Sequence, residues 1–239
     1  MAKGKHFMGE GSDGSGKDTI IGNILEFAKQ KNLKIFDVIE YSKKTCRLPF
    51  YEDFKDYDII YTAEPTYSWV GKGIREEIIR KNKNYFYSAR LTAQAYALDR
   101  AIHYNTVLIP ARESGKIIIQ GRGAPSSFCY QQIQAESLSL ERIINLEGNQ
   151  LALEHQPDIL MIVKIEPEEA LRKLNIRPDK NDNAIFEKLE FLKKLVPMYE
   201  DEEFLPNLFN KSKIVYFDNN IPKEETIKRA REFTEEYLF

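Results

Sequence analysis

The densest chemical information in the chain lies in the run Gly11-Ser12-Asp13-Gly14-Ser15-Gly16-Lys17-Asp18. Glycines at these spacings let the backbone turn its N–H groups inward, because each tolerates φ angles that a Cβ would forbid. Inward N–H groups make a cradle for phosphate oxygens. A helix starting directly after them adds its N-terminal dipole and unbonded amides, and Lys17 brings a cation to the far end of a polyphosphate. The pattern is GxxxxGK, whose next place usually holds a Ser or Thr that ligates Mg²⁺. Here Asp18 stands there, followed by Thr19. The residues leave two roles open for Asp18. It binds the metal as a hard oxygen ligand, or it turns away as an acid of the first helical turn while Thr19 supplies the hydroxyl. A glycine-rich turn that binds nothing is the bland alternative.

Such a loop works only between a strand and a helix, and the chain supplies both. Short apolar runs at 5–8, 35–39, 59–62, 116–120, 159–165 and 214–217 alternate with helical periods at 19–30, 74–80, 89–113, 126–135, 140–153, 168–174, 184–199 and 224–237. That alternation predicts an α/β fold with a mainly parallel sheet flanked by helices. Residues 41–58 fit neither period and read as an insertion. Residues 175–183, with Pro178 and three Asn, read as a surface loop. No repeat or low-complexity linker divides the 239 residues, so a single domain over 1–239 is expected. The composition, 42% hydrophobic and 30% charged with a net charge of −2, offers no basic face for a nucleic acid or a membrane. No apolar run reaches the 18 or so residues of a membrane span, and the N-terminus leaves no room for a signal peptide before the glycine loop. Cys46 and Cys129 lie outside any CxxC spacing and read as free thiols of a reducing cytoplasm.

Beyond the glycine loop stand three further segments: AEPTYSWVGKGIRE (63–76), AYALDRAIHYNTVLIPARESGKIII (95–119) and GRGAPSSFCYQ (121–131). Together with GSDGSGKDT they resemble, in order and spacing, the thymidylate kinase family, whose pattern runs GxDGxGKxT, EPT with GKxIR, ADRxxH, and DRYxxSSxAYQ. The EPT form is similar to the archaeal and bacterial branch. The resemblance spans roughly 4–200. It implies a P-loop nucleoside monophosphate kinase with a five-stranded sheet and a short lid at about 172–183, transferring the γ-phosphate of ATP to dTMP with Mg²⁺. It also implies a cytoplasmic homodimer.

Carried over by position, the resemblance makes 11–19 (Gly11, Ser12, Asp13, Gly14, Ser15, Gly16, Lys17, Asp18 and Thr19) the ATP and Mg²⁺ site. Asp13 also matches the carboxylate that holds the acceptor's sugar hydroxyl. Tyr96 matches the aromatic stacked on thymine, and Arg100, at i+4 on the same helix face, is placed to donate to a base carbonyl. Arg122 matches the arginine that grips the acceptor phosphate, a task for its planar fork. Glu64 and Pro65 shape the acceptor pocket, and Ser126, Ser127 and Gln131 line it. His103 is expected to be structural. The loop offers no cation besides Lys17, so Arg172 and Arg177 in the lid are the candidates to stabilise the transferring phosphoryl group. From spacing alone, Tyr96 has an alternative reading as a core aromatic, Glu64 as a strand-end acid, and Arg75, Arg100, Arg172 and Arg177 as charges on the surface.

Two departures stand out. The family's DRY acid and aromatic are replaced by Gly121 and Gly123, while Asp18 adds an acid in the loop. Asp18 is therefore expected to do from the loop what the strand-end acid does elsewhere. The alternatives are a nucleotide-binding regulatory protein with eroded catalysis, a kinase for another deoxynucleotide, or a deoxynucleoside kinase, of which Trp69 after the EP segment is an echo.

Overall fold

A computed structural model describes residues 3–79, 87–134, 136–176 and 188–238. Six strands, β1 (His6–Glu10), β2 (Ile35–Asp37), β3 (Ile59–Ala63), β4 (Ile117–Gly121), β5 (Ile159–Lys164) and β6 (Lys213–Asp218), form one sheet in the order β2-β3-β4-β1-β5-β6. Every pairing is parallel. All six apolar runs became strands, so the five-stranded sheet implied by the family is corrected to six.

Alternate residues of each strand feed opposite cores, as the period of two requires. Phe7, Ile59, Ile119 and Met161 pack with Ile20, Ile21 and Ile24 of α1 (Lys17–Gln30) and with Phe233 near the C-terminus. Met8, Ile60, Ile118 and Leu160 enter the other cluster with Phe128 and Phe209. With both faces covered, the inner strands are apolar on both sides, which is why their sequences are nearly continuous hydrophobic runs.

β2 stops at Asp37, short of Ile39, because Asp37 caps the next helix by accepting from Glu40 N–H at 3.0 Å. That helix, α2 (Val38–Thr45), and α3 (Tyr51–Phe54) occupy much of the segment read as an irregular insertion. The segment is the β2-to-β3 crossover, and its helices are too short for a periodic signal. α4 (Trp69–Gly73) continues into a π-helical turn, Ile74–Ile78. α5 (Ala89–His103) runs through a second π turn, Tyr104–Leu108, into α6 (Ile109–Glu113), as the single period at 89–113 predicts. Pro110 lacks the N–H that an unbroken α-helix would use there.

α7 (Ala124–Ile133) follows β4, and the period at 140–153 divides into α8 (Leu140–Ile144) and α9 (Glu147–Glu154). α10 (Pro167–Asn175) follows β5, and α11 (Leu189–Glu200) covers the described part of the helix expected at 184–199. α12 (Phe204–Leu208) was not signalled, and α13 (Lys223–Tyr237) closes the chain. Most of the expected lid, 177–183, with Arg177, lies outside the described residues. Among the described residues no helix is long and apolar enough to cross a membrane, and both cysteines are free thiols.

Candidate active site

β1 lies between β4 and β5, and the carboxyl ends of these parallel strands open on one edge, where ligands settle in sheets of this class. A cleft of about 330 Å³ lies there. Its walls come from the glycine loop, the segment after β3, α5, and the turn from β4 into α7.

The loop has the strained shape its glycines allow. Gly11, Gly14 and Gly16 have φ of 144°, 80° and 87°. Its fit is close from below: a Cβ on Gly14 would meet Ala170 O at 2.3 Å, and one on Gly16 would meet Asn219 Nδ2 at 2.3 Å. Asn219, just past β6, donates to Ser15 O at 2.6 Å and accepts from Thr226 Oγ1 at 2.6 Å. It is a buttress for the loop. α1 starts at Lys17 with no side chain capping it, so its first amides face the cleft unshared by a cap. The hydroxyls of Ser12 and Ser15 are buried without a hydrogen-bond partner among the described residues. Orphaned donors and bare amides around a helix start suit phosphate oxygens. Lys17 is buried, and desolvation lowers its pKa, with Arg122 adding repulsion. An anion in the loop would reverse that penalty.

Across the cleft the turn Gly121-Arg122-Gly123 holds Arg122 at φ 62°, a conformation unusual for a side-chain-bearing residue. Its guanidinium donates from Nη1 to Gly11 O at 3.2 Å, Ser126 Oγ at 3.1 Å and Tyr130 Oη at 3.4 Å, and from Nη2 to Asp13. Tyr130 Oη donates to the other Asp13 oxygen at 2.9 Å. Burial works against the Arg122 cation, but Tyr130, Asp13, Tyr199 and Glu10 outweigh it and raise its pKa further. The turn is anchored from β1: Glu10 accepts from Gly123 N–H at 2.6 Å, Ser126 Oγ at 2.8 Å and Tyr199 Oη at 3.1 Å. Desolvation raises the Glu10 pKa. Glu10 thus caps α7 across the sheet and ties it to α11.

The deep end of the cleft is a second buried polar network. Glu64 accepts from Arg100 Nε at 2.8 Å and Gln120 Nε2 at 3.3 Å, and its other contact is His103 Nδ1 at 3.1 Å. Burial pushes Glu64 up, yet Arg100 and His103 win and leave its pKa lowered. Arg100 Nη2 donates to Ser127 Oγ at 3.1 Å, and Nη1 donates to Asn149. His103 is held between Thr62 and Glu64, as a structural residue should be. Asp99 fastens the turn after Pro65 by accepting from Thr66 N–H and Oγ1 at 2.7 and 2.6 Å. Arg75 is no surface charge: it donates to Pro65 O at 2.9 Å and lies over the Tyr67 ring at 3.8 Å. Tyr96 lines the same wall, and burial raises its phenol to about 12. Gln131 Oε1 is buried at the cleft without a partner among the described residues.

Asp13, Lys17, Asp18, Glu64, Pro65, Tyr96, Arg100, Arg122, Ser126, Ser127 and Gln131 therefore converge on one cleft. Thr19 is exposed and does not line it. Trp69 is also exposed and away from the cleft. Arg172 is not brought in either; it pairs with Glu169 on the surface of α10, with Nε at 2.6 Å. Glu10, Asn219, Tyr130 and Tyr199 escaped the sequence reading. Only Glu10 left a trace, an acid ending an apolar strand directly before the glycine loop.

The thymidylate kinase family model matches residues 43–230. The chain belongs to the thymidylate kinase family. The thymidylate kinase of Caldicellulosiruptor saccharolyticus is 28% identical over 237 residues, covering 99% of this chain and 98% of that protein. A probable thymidylate kinase of Thermococcus gammatolerans is 34% identical over 70% of this chain and 77% of its own length. The thymidylate kinase of Prochlorococcus marinus (strain MIT 9515) is 30% identical over 81% of each. The family model begins beyond the glycine loop, but the full-length match to the Caldicellulosiruptor protein includes it.

Proposed function

We propose that this chain transfers the γ-phosphate of ATP to dTMP, giving dTDP and ADP. The observation that carries the reading is one cleft joining Lys17 of the glycine loop to Arg122 and, deeper, to Tyr96, Arg100 and Gln131. The loop holds the β- and γ-phosphates through its amides and Lys17. Arg122 holds the acceptor phosphate beside them, aligned by Asp13 and Tyr130. A phosphate oxygen of dTMP then attacks the γ-phosphorus as the bond to the bridging oxygen breaks. Positioning and charge supply most of the catalysis for this loose transition state.

The base pocket favours thymine by hydrogen-bond sense. Gln131 Oε1 is an acceptor in need of a donor, which N3–H of thymine supplies and N3 of cytosine does not. Arg100 faces the carbonyl edge, and Tyr96 stacks on the ring for about 1–3 kcal/mol. Mg²⁺ belongs to this reading: bound with ATP it offsets charge on the phosphate oxygens, and the donor chemistry of Asp18, a carboxylate beside Lys17 on the cleft wall, suits it. Arg172 and Arg177 are proposed, on the family resemblance, as the cations that stabilise the transferring phosphoryl group. A homodimer in the cytoplasm, without nucleic-acid or membrane partners, completes the proposal on the family resemblance.

ADP release measured against a panel of dTMP, dUMP, dCMP, dAMP, dGMP and thymidine tests it. dTMP should be turned over fastest. Thymidine at an equal rate would move the chain to the deoxynucleoside kinases, and no acceptor-dependent release would leave a nucleotide-binding protein.

A further inference from the structure

In phosphate-loop enzymes Mg²⁺ is commonly held by a hydroxyl just after the loop lysine and by an acid at a strand end. This chain has Asp18 in the first place and, at the end of the strand beside β1, Gly121 in register with Gly9. A Cβ built on Gly121 would point at Ile21 Cδ1, 3.5 Å away. Ile21 stands one turn after Asp18 on α1 and is buried in the core, whereas Asp18 is exposed at the start of the helix. Asp18 and Gly121 both line the cleft, so an acid at either position would present its carboxylate to the same space, from the helix or from the sheet. Asp18, Gly121 and Lys17 line one cleft, and Asp18 Oδ1 lies 3.3 Å from Lys17 Nζ. The other cleft carboxylates have structural work: Asp13 orients Arg122, and Glu64 neutralises Arg100.

The geometry points to an exchange of roles. Asp18 ligates the Mg²⁺ that accompanies ATP, doing from α1 what an acid at position 121 would do from β4. The inference rests on the kinase reading above and deepens it. Mg²⁺ bound with a nucleotide takes one or two carboxylates and completes its shell with phosphate oxygens and water. A hydroxyl at 18 beside a glycine at 121 would leave that ion with no protein charge in contact. One acid supplies it from either side, whereas two would crowd one ion and raise each other's pKa in its absence.

The probe is Mn²⁺ titrated into protein saturated with ADP, with free Mn²⁺ read by electron paramagnetic resonance, so that no turnover is involved. Asp18→Ser should weaken Mn²⁺ binding at least tenfold, and Asp18→Asn, which keeps the shape, should do the same. Asp18→Ser combined with Gly121→Asp should return to within about threefold of wild type. Position 121 has room: its nearest neighbours would be in ordinary van der Waals contact, and its backbone lies outside the left-handed region. The measure is a non-additive pair in a double-mutant cycle. Wild-type affinity in either Asp18 variant overturns the inference. So does a double variant as weak as Asp18→Ser, because Asp18 would then bind metal without replacing a strand acid. Thermal melting of the metal-free variants checks their folding, and Asp18→Asn decides the matter if the double variant melts early. A protein that holds Mn²⁺ through Asp18 but never phosphorylates dTMP would sink the kinase reading alone.

Discussion

Replacing Arg122 with lysine separates two tasks that one guanidinium performs. The residue braces the loop through Gly11 O and Asp13 and is assigned to the acceptor phosphate. Lysine keeps the charge and loses the planar fork, so a two-point phosphate contact becomes one. A hydrogen bond to a charged group contributes about 1.5–3 kcal/mol. Losing one should therefore cost roughly 10- to 150-fold in kcat/KM for dTMP. Thymidine has no phosphate to hold, so its slow turnover should change by less than about threefold, a cost under about 0.7 kcal/mol. Both acceptors are followed by coupled ADP release, with calorimetric melting to check the fold. Equal losses for dTMP and thymidine would make Arg122 a scaffold for Asp13 and refute the phosphate assignment. A dTMP rate within twofold of wild type would refute it as well.

Lys17→Ala should abolish transfer without lowering the melting temperature, because the wild-type cation is desolvated in the free protein; retention of more than about a tenth of kcat, a loss under 1.4 kcal/mol, would disprove the loop assignment. Gln131→Met removes an orphaned acceptor, so the free protein should gain on the order of 1 kcal/mol while selection of dTMP over dCMP shrinks about tenfold; a less stable variant with unchanged selectivity would contradict both halves. His6 is buried beside Gln120, and desolvation lowers its pKa from 6.5 to about 4. Its folded-state value lies below the unfolded one, so its contribution is present above pH 6.5 and is lost as pH falls toward 4, by about 3 kcal/mol. Urea denaturation of His6→Asn should therefore show a flatter decline over that window than wild type, and parallel declines would exclude His6 as the cause.

The sheet was legible because its strands are buried on both faces, so apolar runs such as 117–119 and 159–163 need no partner to announce themselves. The glycine loop was legible because its constraint is local: eight consecutive residues must bend one way. The crossover from β2 to β3 was not, since Asp37 ends a strand and starts a helix within one residue. Nor could the supports of the site be read. Glu10 meets Tyr199 across 189 positions, and Asn219 meets Ser15 across 204, separations at which periodicity carries no information. Arg100 shows the limit from the other side: its spacing fits a surface charge, and its burial becomes tolerable through Glu64, Ser127 and Asn149, all distant in sequence.

Asn219 also makes the glycine loop depend on residues far along the chain. The side chain that props the loop stands just past β6, 204 positions from Ser15, and is itself steadied by Thr226 of α13. Without α13 the chain would keep every loop residue and Asn219, yet lose the Thr226 hydroxyl that holds the Asn219 amide in place. A helix that lines no part of the cleft therefore takes part in setting the shape of the loop.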